Sequence, residues 1–497
     1  MITHLHTPEQ AAGWLRARVT GSLSVDSRAL GTGDGFIAWP GEASDGRRYV
    51  QDVLAAGATA CLVEALDIDS FGFSDARIAA FRGLKAATAQ IAASYFNAPS
   101  KQLQVIAVTG TNGKTSTAWW LAQALGRLGR KCGVVGTLGV GAPEALVPNG
   151  LTTPDPVLLQ RQLRSFVDHG FVACALEASS IGLAEHRLDA TQIGVAMFTN
   201  FTQDHLDYHG SMQSYWAAKA ALFSWPGLQS AVINVDDVQG AALNTALMTS
   251  SLDIWTVSVQ GPARLQAQAI RQAMQGLAFE VVEGAQRWPV VMSTVGLYNV
   301  SNLLGVVAAL RALGVSLQDA AAAATDLPSV PGRLETLARQ GQPLLAIDYA
   351  HTPDALEKVL LALRSVARGR GGQLWCVFGC GGDRDSSKRP LMAAAAQKNA
   401  DQLVVTSDNP RNEDPALIIS HVLGGLTRGE SVRVQADRAL AIAQTVAGAE
   451  PCDVVLLAGK GHETYQDVGG VKYPFSDLLH ARAALDLRHV IGLRGAA

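Results

Sequence analysis

A glycine-rich segment that ends in lysine and threonine is the clearest chemical pattern in the sequence. It follows the β-branched run 103–109 and precedes a stretch of helical periodicity. Backbone N–H groups of such a loop can bind phosphate, the lysine can reach the β- and γ-phosphates, and the threonine hydroxyl can help to hold Mg²⁺. Val108 stands where the general P-loop pattern has its first glycine, so this loop is a shortened version. We predict a nucleotide-binding loop made of Gly110, Thr111, Asn112, Gly113, Lys114, Thr115 and Ser116.

Carboxylates and histidines follow other apolar runs of the same region. Glu177 ends one run, at the edge of a parallel sheet where ligands collect, although a solvent-facing carboxylate is the alternative. His205 stands among Asp204, Asp207 and His209, where a structural hydrogen-bonding role is the alternative. Mixed Asp and His could form a transition-metal site, but a loop threonine and ATP phosphates favour Mg²⁺.

Lys219 lies in an amphipathic segment, residues 215–223, that is predicted to be helical. The residues alone predict a solvated lysine on the polar face of this helix.

The phosphate loop itself has an alternative too, since a chance turn before a helix would give a similar string.

The composition limits what the rest of the chain can do. Hydrophobic residues make up 48% and charged residues 17% of the chain, which is enough to bury a core and excludes wholesale disorder. Lys and Arg number 40 against 43 Asp and Glu, a net charge of −3, so no basic field for nucleic acid or anionic lipid is expected. We expect no membrane span, no secretory signal and six reduced cysteines, which together indicate a cytoplasmic protein.

The 497 residues predict about three domains at roughly 150 residues each. Strand and helix patterns alternate from residue 103, and they restart after a proline- and glycine-rich break at 327–332. We predict an α/β protein with a small N-terminal α/β domain (1–98), a central P-loop ATPase-like domain with a mainly parallel sheet (99–332) and a C-terminal Rossmann-like domain (333–497). The predicted strands are 103–109, 132–137, 172–177, 193–199, 231–235, 344–349, 373–378, 402–406 and 454–458, with helices near 354–366 and 388–399.

The loop string GTNGKT (110–115) resembles the Mur ligase family of ATP-dependent amide-forming enzymes. Further strings appear in the order expected of that family, which extends the resemblance from the second predicted domain into the third. They are EASS (177–180), TNFTQDHLDYHG (199–210), YNVSN (298–302), PGRLE (331–335) and DYAHTPD (348–354).

The resemblance implies roles for the residues of the central site. Lys114, Lys219, Glu177 and His205 become catalytic residues, while Asp204, Asp207 and His209 stay structural. Lys219 is implied to react with CO₂ to form a carbamate, which offers negative oxygen to a metal ion where an ammonium cannot. The implied Mg²⁺ ligands are Thr115, Glu177, His205 and carbamylated Lys219. The implied ATP contacts outside the loop are Asn299, Asn302, Arg333 and Asp348, so ATP would bridge the second and third domains.

The resemblance also implies two sites for the sugar-linked acceptor. Uridine-nucleotide contacts are implied at Val25, Ser27, Glu42, Ala43 and Ser44. The muramoyl dipeptide is implied to contact Thr152, Thr153, Ser179, Glu185 and Arg187. Leu151 and Glu185 depart from the family pattern, because some members carry Asn and Gln at these positions. A polar surface turn is the alternative for the uridine positions.

An arginine loop in the third domain resembles the string that marks diaminopimelate-adding members. meso-Diaminopimelate carries a second carboxylate that lysine lacks, and an arginine fork can bind a carboxylate bidentately. A helix-capping loop with a surface arginine is the alternative for Arg411. The implied amino-acid contacts are Arg384, Asp408, Asn409, Pro410, Arg411, Gly459 and Glu463.

The implied reaction adds meso-diaminopimelate to UDP-MurNAc-L-Ala-D-Glu through an acyl phosphate, with ATP and Mg²⁺. It is a step of peptidoglycan precursor synthesis, and so of cell-wall biogenesis, cell shape and cell division. We expect a monomer that acts on small molecules, with no nucleic-acid or membrane partner. A folylpolyglutamate synthase-like ligase and a non-catalytic nucleotide-binding scaffold are the alternatives.

Overall fold

The computed structural model describes residues 2–41, 44–273, 276–427 and 432–495. Successive α/β units follow one another along these residues, which confirms the predicted fold class. We call them the first, central and third domains, after the sheets that they contain. Within the described ranges, no helix is long and apolar enough to cross a membrane.

The first domain contains a parallel sheet with strand order β1-β5-β4-β3-β2. Helices pack on the sheet through buried residues such as Leu15, Leu84 and Ile91. The strands are β1 Thr3–Leu5, β2 Leu23–Ser24, β3 Gly35–Ala38, β4 Ala60–Glu64 and β5 Ile78–Phe81. The helices are α1 Pro8–Arg16, α2 Val50–Ala55 and α3 Leu84–Tyr95.

The central domain contains a long sheet of order β16-β15-β14-β13-β12-β11-β6-β10-β7-β8-β9. Its strands from β14 to β7 are parallel, and antiparallel hairpins extend both edges. The strands are β6 Gln104–Thr109, β7 Cys132–Gly136, β8 Gly139–Ala142, β9 Ala145–Val147, β10 Ala173–Glu177, β11 Val195–Phe198, β12 Ser230–Asn234, β13 Asp253–Ser258, β14 Leu265–Ala273, β15 Gly276–Glu283 and β16 Gln286–Met292. The helices are α4 Lys114–Arg127, α5 Pro156–Asp168, α6 Ser180–Ala184, α7 Leu206–His209, α8 Met212–Ala220, α9 Val238–Leu247, α10 Leu297–Ala312 and α11 Leu317–Ala324.

The third domain contains a sheet of order β17-β18-β22-β19-β20-β21, in which only the β17–β18 pairing is antiparallel among the described strands. A separate hairpin, β23–β24, follows. The strands are β17 Glu335–Leu337, β18 Leu344–Asp348, β19 Leu374–Phe378, β20 Gln402–Val405, β21 Val432–Val434, β22 Val454–Ala458, β23 Tyr465–Val468 and β24 Val471–Pro474. The helices are α12 Pro353–Arg370, α13 Lys388–Asn399, α14 Pro415–Leu423, α15 Arg438–Gly448 and α16 Asp477–Gly495.

The inner strands were predictable because they are buried on both faces. Every position of β10, β19 and β22 is buried, so these strands form continuous apolar runs. The hairpins β8–β9, β15–β16 and β23–β24 were not predicted, since the first two mix buried with exposed positions and the third has no buried position. Helix starts follow local rules: Asp155 caps α5 and Thr352 caps α12, each with a proline next in sequence.

The predicted domain limits at 98/99 and 332/333 stay predictions. The first lies between α3 and β6, and the second lies between α11 and β17. Strands β11, β6 and β10 are neighbours, and their ends are in register: Phe198 pairs with Thr109, and Val108 pairs with Glu177. The loops that follow these strands therefore meet at one edge of the central sheet.

Candidate active site

The phosphate loop is held in a shape that only glycine permits at two positions. Gly110 and Gly113 have φ of 141° and 87°. A Cβ on Gly110 would lie 2.0 Å from Thr199 Oγ1, and one on Gly113 would lie 2.5 Å from Asn302 Oδ1. Helix α4 begins at Lys114, and no described side chain caps it. The N–H groups of its first turn are therefore available to a phosphate.

Two lysines converge on this loop. Lys114 Nζ donates to the Gly110 carbonyl at 2.9 Å, and Lys219 Nζ donates to the same oxygen at 2.8 Å. Lys219 is 1% exposed, so the reading of a solvated lysine is wrong. Burial, and then the charge of Lys114, lower the pKa of Lys219 well below its ordinary value. Burial also lowers the pKa of Lys114, although Glu177 and Asp204 oppose that shift.

Glu177 is a buried carboxylate beside the loop, so the solvent-facing alternative is wrong. Its Oε2 accepts hydrogen bonds from the hydroxyls of Thr115 at 3.0 Å and Thr137 at 3.2 Å, and its Oε1 accepts one from Thr137 N at 2.8 Å. A Cβ on Gly136 would lie 2.2 Å from Glu177 Oε1. Glycine at this strand end therefore makes room for the carboxylate.

The donor set at the loop fits Mg²⁺. Thr115 and Glu177 offer hard oxygen atoms 3.0 Å apart, and phosphate oxygens and water would complete the shell. Among the described residues, no three His, Cys, Asp or Glu side chains are grouped so that they could hold a metal ion by themselves. Lys219 fits a metal only as a carbamate. Burial lowers the pKa of His205 to about 4, so its imidazole is neutral and can act as a ligand.

A cleft between the central and third domains opens beside the loop. It holds about 630 Å³ of empty space, counting its open mouth. Arg333 Nη2 donates to Thr115 Oγ1 at 3.0 Å, and the guanidinium lies 4.5 Å from the ring centre of Tyr349. The carboxylate of Asp348 accepts backbone hydrogen bonds from Leu334 and Ala350, and burial raises its pKa. The lining includes Asn112, Thr115, Asn299, Asn302, Arg333, Asp348, Tyr349 and Lys358.

The cleft brings together the predicted ATP residues outside the loop: Asn299, Asn302, Arg333 and Asp348. Sequence reasoning missed Tyr349 and Lys358 as lining residues. Tyr349 stands inside the DYAHTPD string, and Lys358 lies one helical turn after Asp354 on α12, with which it forms an ion pair at 2.9 Å. For Tyr349 the available signal was its position next to the predicted nucleotide residue Asp348, whereas no predicted nucleotide residue adjoins Lys358 in the sequence.

Asp204 connects the central domain to the third. Its carboxylate lies 3.6 Å from His205 Nε2, 3.7 Å from His351 Nε2 and 3.6 Å from Lys388 Nζ. Burial alone would raise the pKa of Asp204, but these basic neighbours lower it well below the ordinary value. The third domain supplies two of the neighbours, so this cluster helps to set the relative position of the domains.

The predicted dipeptide residues lie just beyond Glu177. Thr153 Oγ1 donates to the Glu177 carbonyl at 2.7 Å and accepts a hydrogen bond from Ser179 N at 3.0 Å, while Arg187 Nη1 donates to the Thr153 carbonyl at 2.9 Å. The Thr152 hydroxyl lies 2.9 Å from that of Thr137. The structure therefore gathers Thr152, Thr153, Ser179 and Arg187 around the end of β10.

Glu185 and Leu151, the two residues that depart from the family pattern, lie in different surroundings. Glu185 forms an ion pair at 2.6 Å with Lys85, on α3 of the first domain, and accepts a hydrogen bond from the Tyr208 hydroxyl. Its carboxylate is thus engaged in a contact between two domains. Leu151 is 45% exposed in the connection between β9 and α5.

Three of the predicted uridine positions lie at one edge of the first sheet. Val25 and Ser27 follow β2, Ser44 follows β3, and these strands are parallel neighbours. Val25 packs on the core of this domain, and the Ser44 carbonyl accepts a hydrogen bond from Gly41 N at 2.9 Å. Glu42 and Ala43 lie outside the described residues.

The predicted amino-acid residues follow β19, β20 and β22, which are neighbours in the third sheet. A Cβ on Gly459 would lie 2.5 Å from Asp408 Oδ2, so the two loops pack closely. Asn409 Nδ2 donates to Glu463 Oε2 at 2.8 Å. Pro410 is adjacent in sequence, and its carbonyl accepts a hydrogen bond from Glu413 N at 3.0 Å.

The two predicted carboxylate-binding arginines differ in their settings. Arg411 has φ of 50°, and its Nη1 donates to the Gly382 carbonyl. Its Nη2 and Nε make no hydrogen bond with the described residues, so part of the fork remains available. Arg384 is exposed, and its guanidinium has no hydrogen bond to any residue that the structure describes.

Comparisons with known proteins show which family the chain belongs to. Residues 108–310 match the model of the Mur ligase middle domain, and residues 332–461 match that of the Mur ligase, glutamate ligase domain. The UDP-N-acetylmuramoyl-L-alanyl-D-glutamate–2,6-diaminopimelate ligase of Acidovorax sp. (strain JS42) is 60% identical over 97% of this chain and 98% of its own. The ligase of the same name from Janthinobacterium sp. (strain Marseille) is 47% identical over 96% and 97%.

A solved structure of a ligase with that name is also similar. It is 34% identical, covers 94% of this chain and 95% of its own, and has a TM-score of 0.63. The similarity spans the first domain as well as the two that the family models match. It therefore covers the whole three-domain architecture.

Proposed function

This chain belongs to the Mur ligase family, and from that premise we propose that it adds meso-diaminopimelate to UDP-MurNAc-L-Ala-D-Glu. It is an ATP-dependent ligase. One observation carries the proposal: the phosphate loop is hydrogen-bonded to the third domain. Arg333 donates to Thr115 Oγ1, and this hydroxyl in turn donates to the buried Glu177. The near-full-length similarity to ligases named for this reaction supports the choice of substrates.

The proposed reaction has two steps. The side-chain carboxylate of D-Glu attacks the γ-phosphorus of ATP, forming a C–O–P bond and releasing ADP. The free amine of diaminopimelate then attacks the acyl carbon, a C–N bond forms, the acyl C–O bond breaks, and phosphate leaves with the proton that the amine gives up. Lys114, Arg333 and the N-terminus of α4 offset the charge that gathers when two anions meet. No side-chain nucleophile is required, because positioning and charge supply the catalysis.

Thr115 and Glu177 are the proposed ligands of a Mg²⁺ ion, and His205 and a carbamate on Lys219 are proposed for a second. Bound Mg²⁺ supplies positive charge at the phosphoryl group. The amine of Lys219 would take up CO₂ with loss of one proton. Its complete burial beside Gly110 supports this, because the carbamate would be kept from bulk water.

Selection of diaminopimelate is proposed to rest on Arg411 and Arg384. Each retains N–H donors that no described residue uses, as a site for an incoming carboxylate requires. Asp408 and Glu463 offer carboxylate oxygens for the ammonium groups of the amino acid, and Asn409, the third proposed contact, is hydrogen-bonded to Glu463. We place the reaction in the cytoplasm and expect a monomer.

Phosphate release from ATP tests the proposal. We expect release to require both the UDP-muramoyl dipeptide and an amino acid, with diaminopimelate strongly preferred to lysine. Equal use of lysine and diaminopimelate would contradict the assigned specificity. Release with a pteroyl substrate instead would identify a folylpolyglutamate synthase-like ligase, and ATP binding without release under any condition would identify a scaffold.

A further inference from the structure

Lys460 is a buried charged residue that the proposed mechanism does not use. It lies in the loop after β22, between Gly459 and Gly461, and its side chain is completely buried. Its ammonium donates to Asn409 Oδ1 at 3.0 Å and to Glu463 Oε2 at 2.8 Å. Both acceptors belong to residues that are proposed to contact the amino-acid substrate.

The contacts form a closed triangle of side chains. Asn409 Nδ2 donates to Glu463 Oε2 at 2.8 Å, while Asp467 N donates to Asn409 Oδ1 at 3.0 Å. Glu463 Oε2 therefore accepts two hydrogen bonds, whereas its Oε1 makes none with the described residues. One oxygen of this carboxylate is anchored, and the other is available to a ligand.

Removal of Lys460 should be energetically costly, because it is a buried charge paired with Glu463. A buried ammonium is costly unless it is paired, and loss of its partner leaves an uncompensated charge. The rings of Tyr465 and Phe475 lie 5.9 and 6.0 Å from Nζ, so the charge is covered by aromatic faces and kept from water. In this setting the ion pair with Glu463 is much stronger than a surface pair.

The backbone around Lys460 is equally constrained. Gly459 and Gly461 have φ of 110° and 51°. A Cβ on Gly461 would lie 2.7 Å from the Gly332 carbonyl oxygen, so the loop also packs on the connection between domains. Glu463 N donates to the Lys460 carbonyl at 3.0 Å, which closes a turn. The lysine and its carboxylate partner are thus held together by backbone and side chain.

We propose that Lys460 is a positioning residue of the amino-acid site. It holds Asn409 and one oxygen of Glu463, so that Oε1 of Glu463 is presented to an ammonium group of the amino-acid substrate. Without the lysine, the carboxylate would turn towards water and lose this orientation. The inference rests on the proposed function, because it needs the amino acid to bind beside Glu463.

The test is the replacement Lys460→Met, with Lys460→Gln as a second variant that keeps a polar group and is easier to fold. We expect KM for diaminopimelate to rise about tenfold or more, with KM for ATP and for the UDP-muramoyl dipeptide unchanged. In a double-mutant cycle with Glu463→Gln, the effects should be strongly non-additive, because one residue acts through the other. The control is Asp453→Asn, a buried carboxylate at the opposite end of β22, which should lower the unfolding temperature without changing any KM.

Wild-type enzyme, assayed in parallel, separates the two proposals. Absence of diaminopimelate-dependent phosphate release in the wild type would overturn the proposed function. If the wild type is active but folded Lys460→Gln has an unchanged KM for diaminopimelate, the positioning role of Lys460 is overturned. The proposed function then still stands. Additive effects in the cycle would overturn it as well.

Discussion

Lys114 and Lys219 donate hydrogen bonds to the same carbonyl oxygen, that of Gly110, from two different helices. Both side chains are removed from water. Burial, and then the charge of Lys114, lower the pKa of Lys219, which favours the uncharged amine there. Conversion of Lys219 to a carbamate would place a negative charge beside the Lys114 ammonium, an attractive arrangement. It would also supply the negative oxygen that a second Mg²⁺ requires. The lowered pKa and burial of Lys219 beside this carbonyl are the basis of the proposed modification.

Replacement of Lys219 should abolish most of the activity. We expect Lys219→Ala to lower kcat by about 100-fold or more, because a charged group at the phosphoryl site is lost. Added bicarbonate should not restore activity. The control is Lys398→Ala, an exposed lysine paired with Glu357, which should behave as wild type. Full activity in Lys219→Ala would rule out the carbamate, and ¹³C NMR with labelled bicarbonate would test for it directly.

Arg333 should act on ATP use. It donates to Thr115 across the domain boundary and stacks on Tyr349, and a lysine cannot reproduce both contacts. We expect Arg333→Lys to lower kcat/KM for ATP by about 10- to 100-fold. Arg339→Lys, at an exposed pair with Asp486, is the matched control and should change little. An unchanged kcat/KM in Arg333→Lys would show that the bridge to Thr115 has no part in ATP use.

Arg411 should decide between diaminopimelate and lysine. Loss of its charge-assisted hydrogen bonds should lower kcat/KM for diaminopimelate by about 10- to 100-fold in Arg411→Ala. The low activity with lysine should stay as in the wild type, because lysine has no second carboxylate. Arg287→Ala, on the exposed edge strand β16, serves as the control. An equal loss of kcat/KM for both amino acids would indicate that the substitution disrupts the loop. It would contradict the proposal that Arg411 binds the second carboxylate.

Asp477 should contribute strongly to stability. It forms a fully buried ion pair with Arg438, which also donates to the carbonyls of Ser407 and Ala458, just before Asp408 and Gly459. Breaking a buried pair typically costs about 3–5 kcal/mol, so Asp477→Asn should lower the free energy of unfolding by that order in denaturant titrations. Asp486→Asn, at an exposed pair, should cost less than about 1 kcal/mol. Similar losses in the two variants would contradict a special role for the buried pair.

Glu413 should make stability depend on pH. Hydrogen bonds from Arg389 lower the pKa of this carboxyl below its ordinary value of 4.5. A group with a lowered folded-state pKa stabilises the protein above the ordinary value, and the contribution disappears as the pH falls through the folded-state pKa. Because Glu413 is partly exposed, its screened contribution should be about 1 kcal/mol or less. The unfolding temperatures of wild type and Glu413→Gln should thus differ most near neutral pH and converge in acid, and a constant difference would contradict this account.

Local features of the fold were predictable because they depend on contiguous residues. Strand β6, the loop glycines Gly110 and Gly113, and the helix that starts at Lys114 follow one another directly in the sequence as a strand-loop-helix unit. The inner parallel strands were visible as apolar runs, since both of their faces are buried. The edge hairpins were not, because polar residues break their pattern.

The fold class, the glycine-rich loop at 110–116 and the order of the family strings could be read from the amino-acid sequence. Tertiary structure alone decided that Lys219 is buried, that Glu185 pairs with Lys85, that Asp204 meets His351 and that Lys460 anchors Glu463. Hydrophobic periodicity and motif spacing predict the conformation of residues that are close together in the sequence. Burial and pairing depend on elements that are distant in sequence, and only packing brings those together.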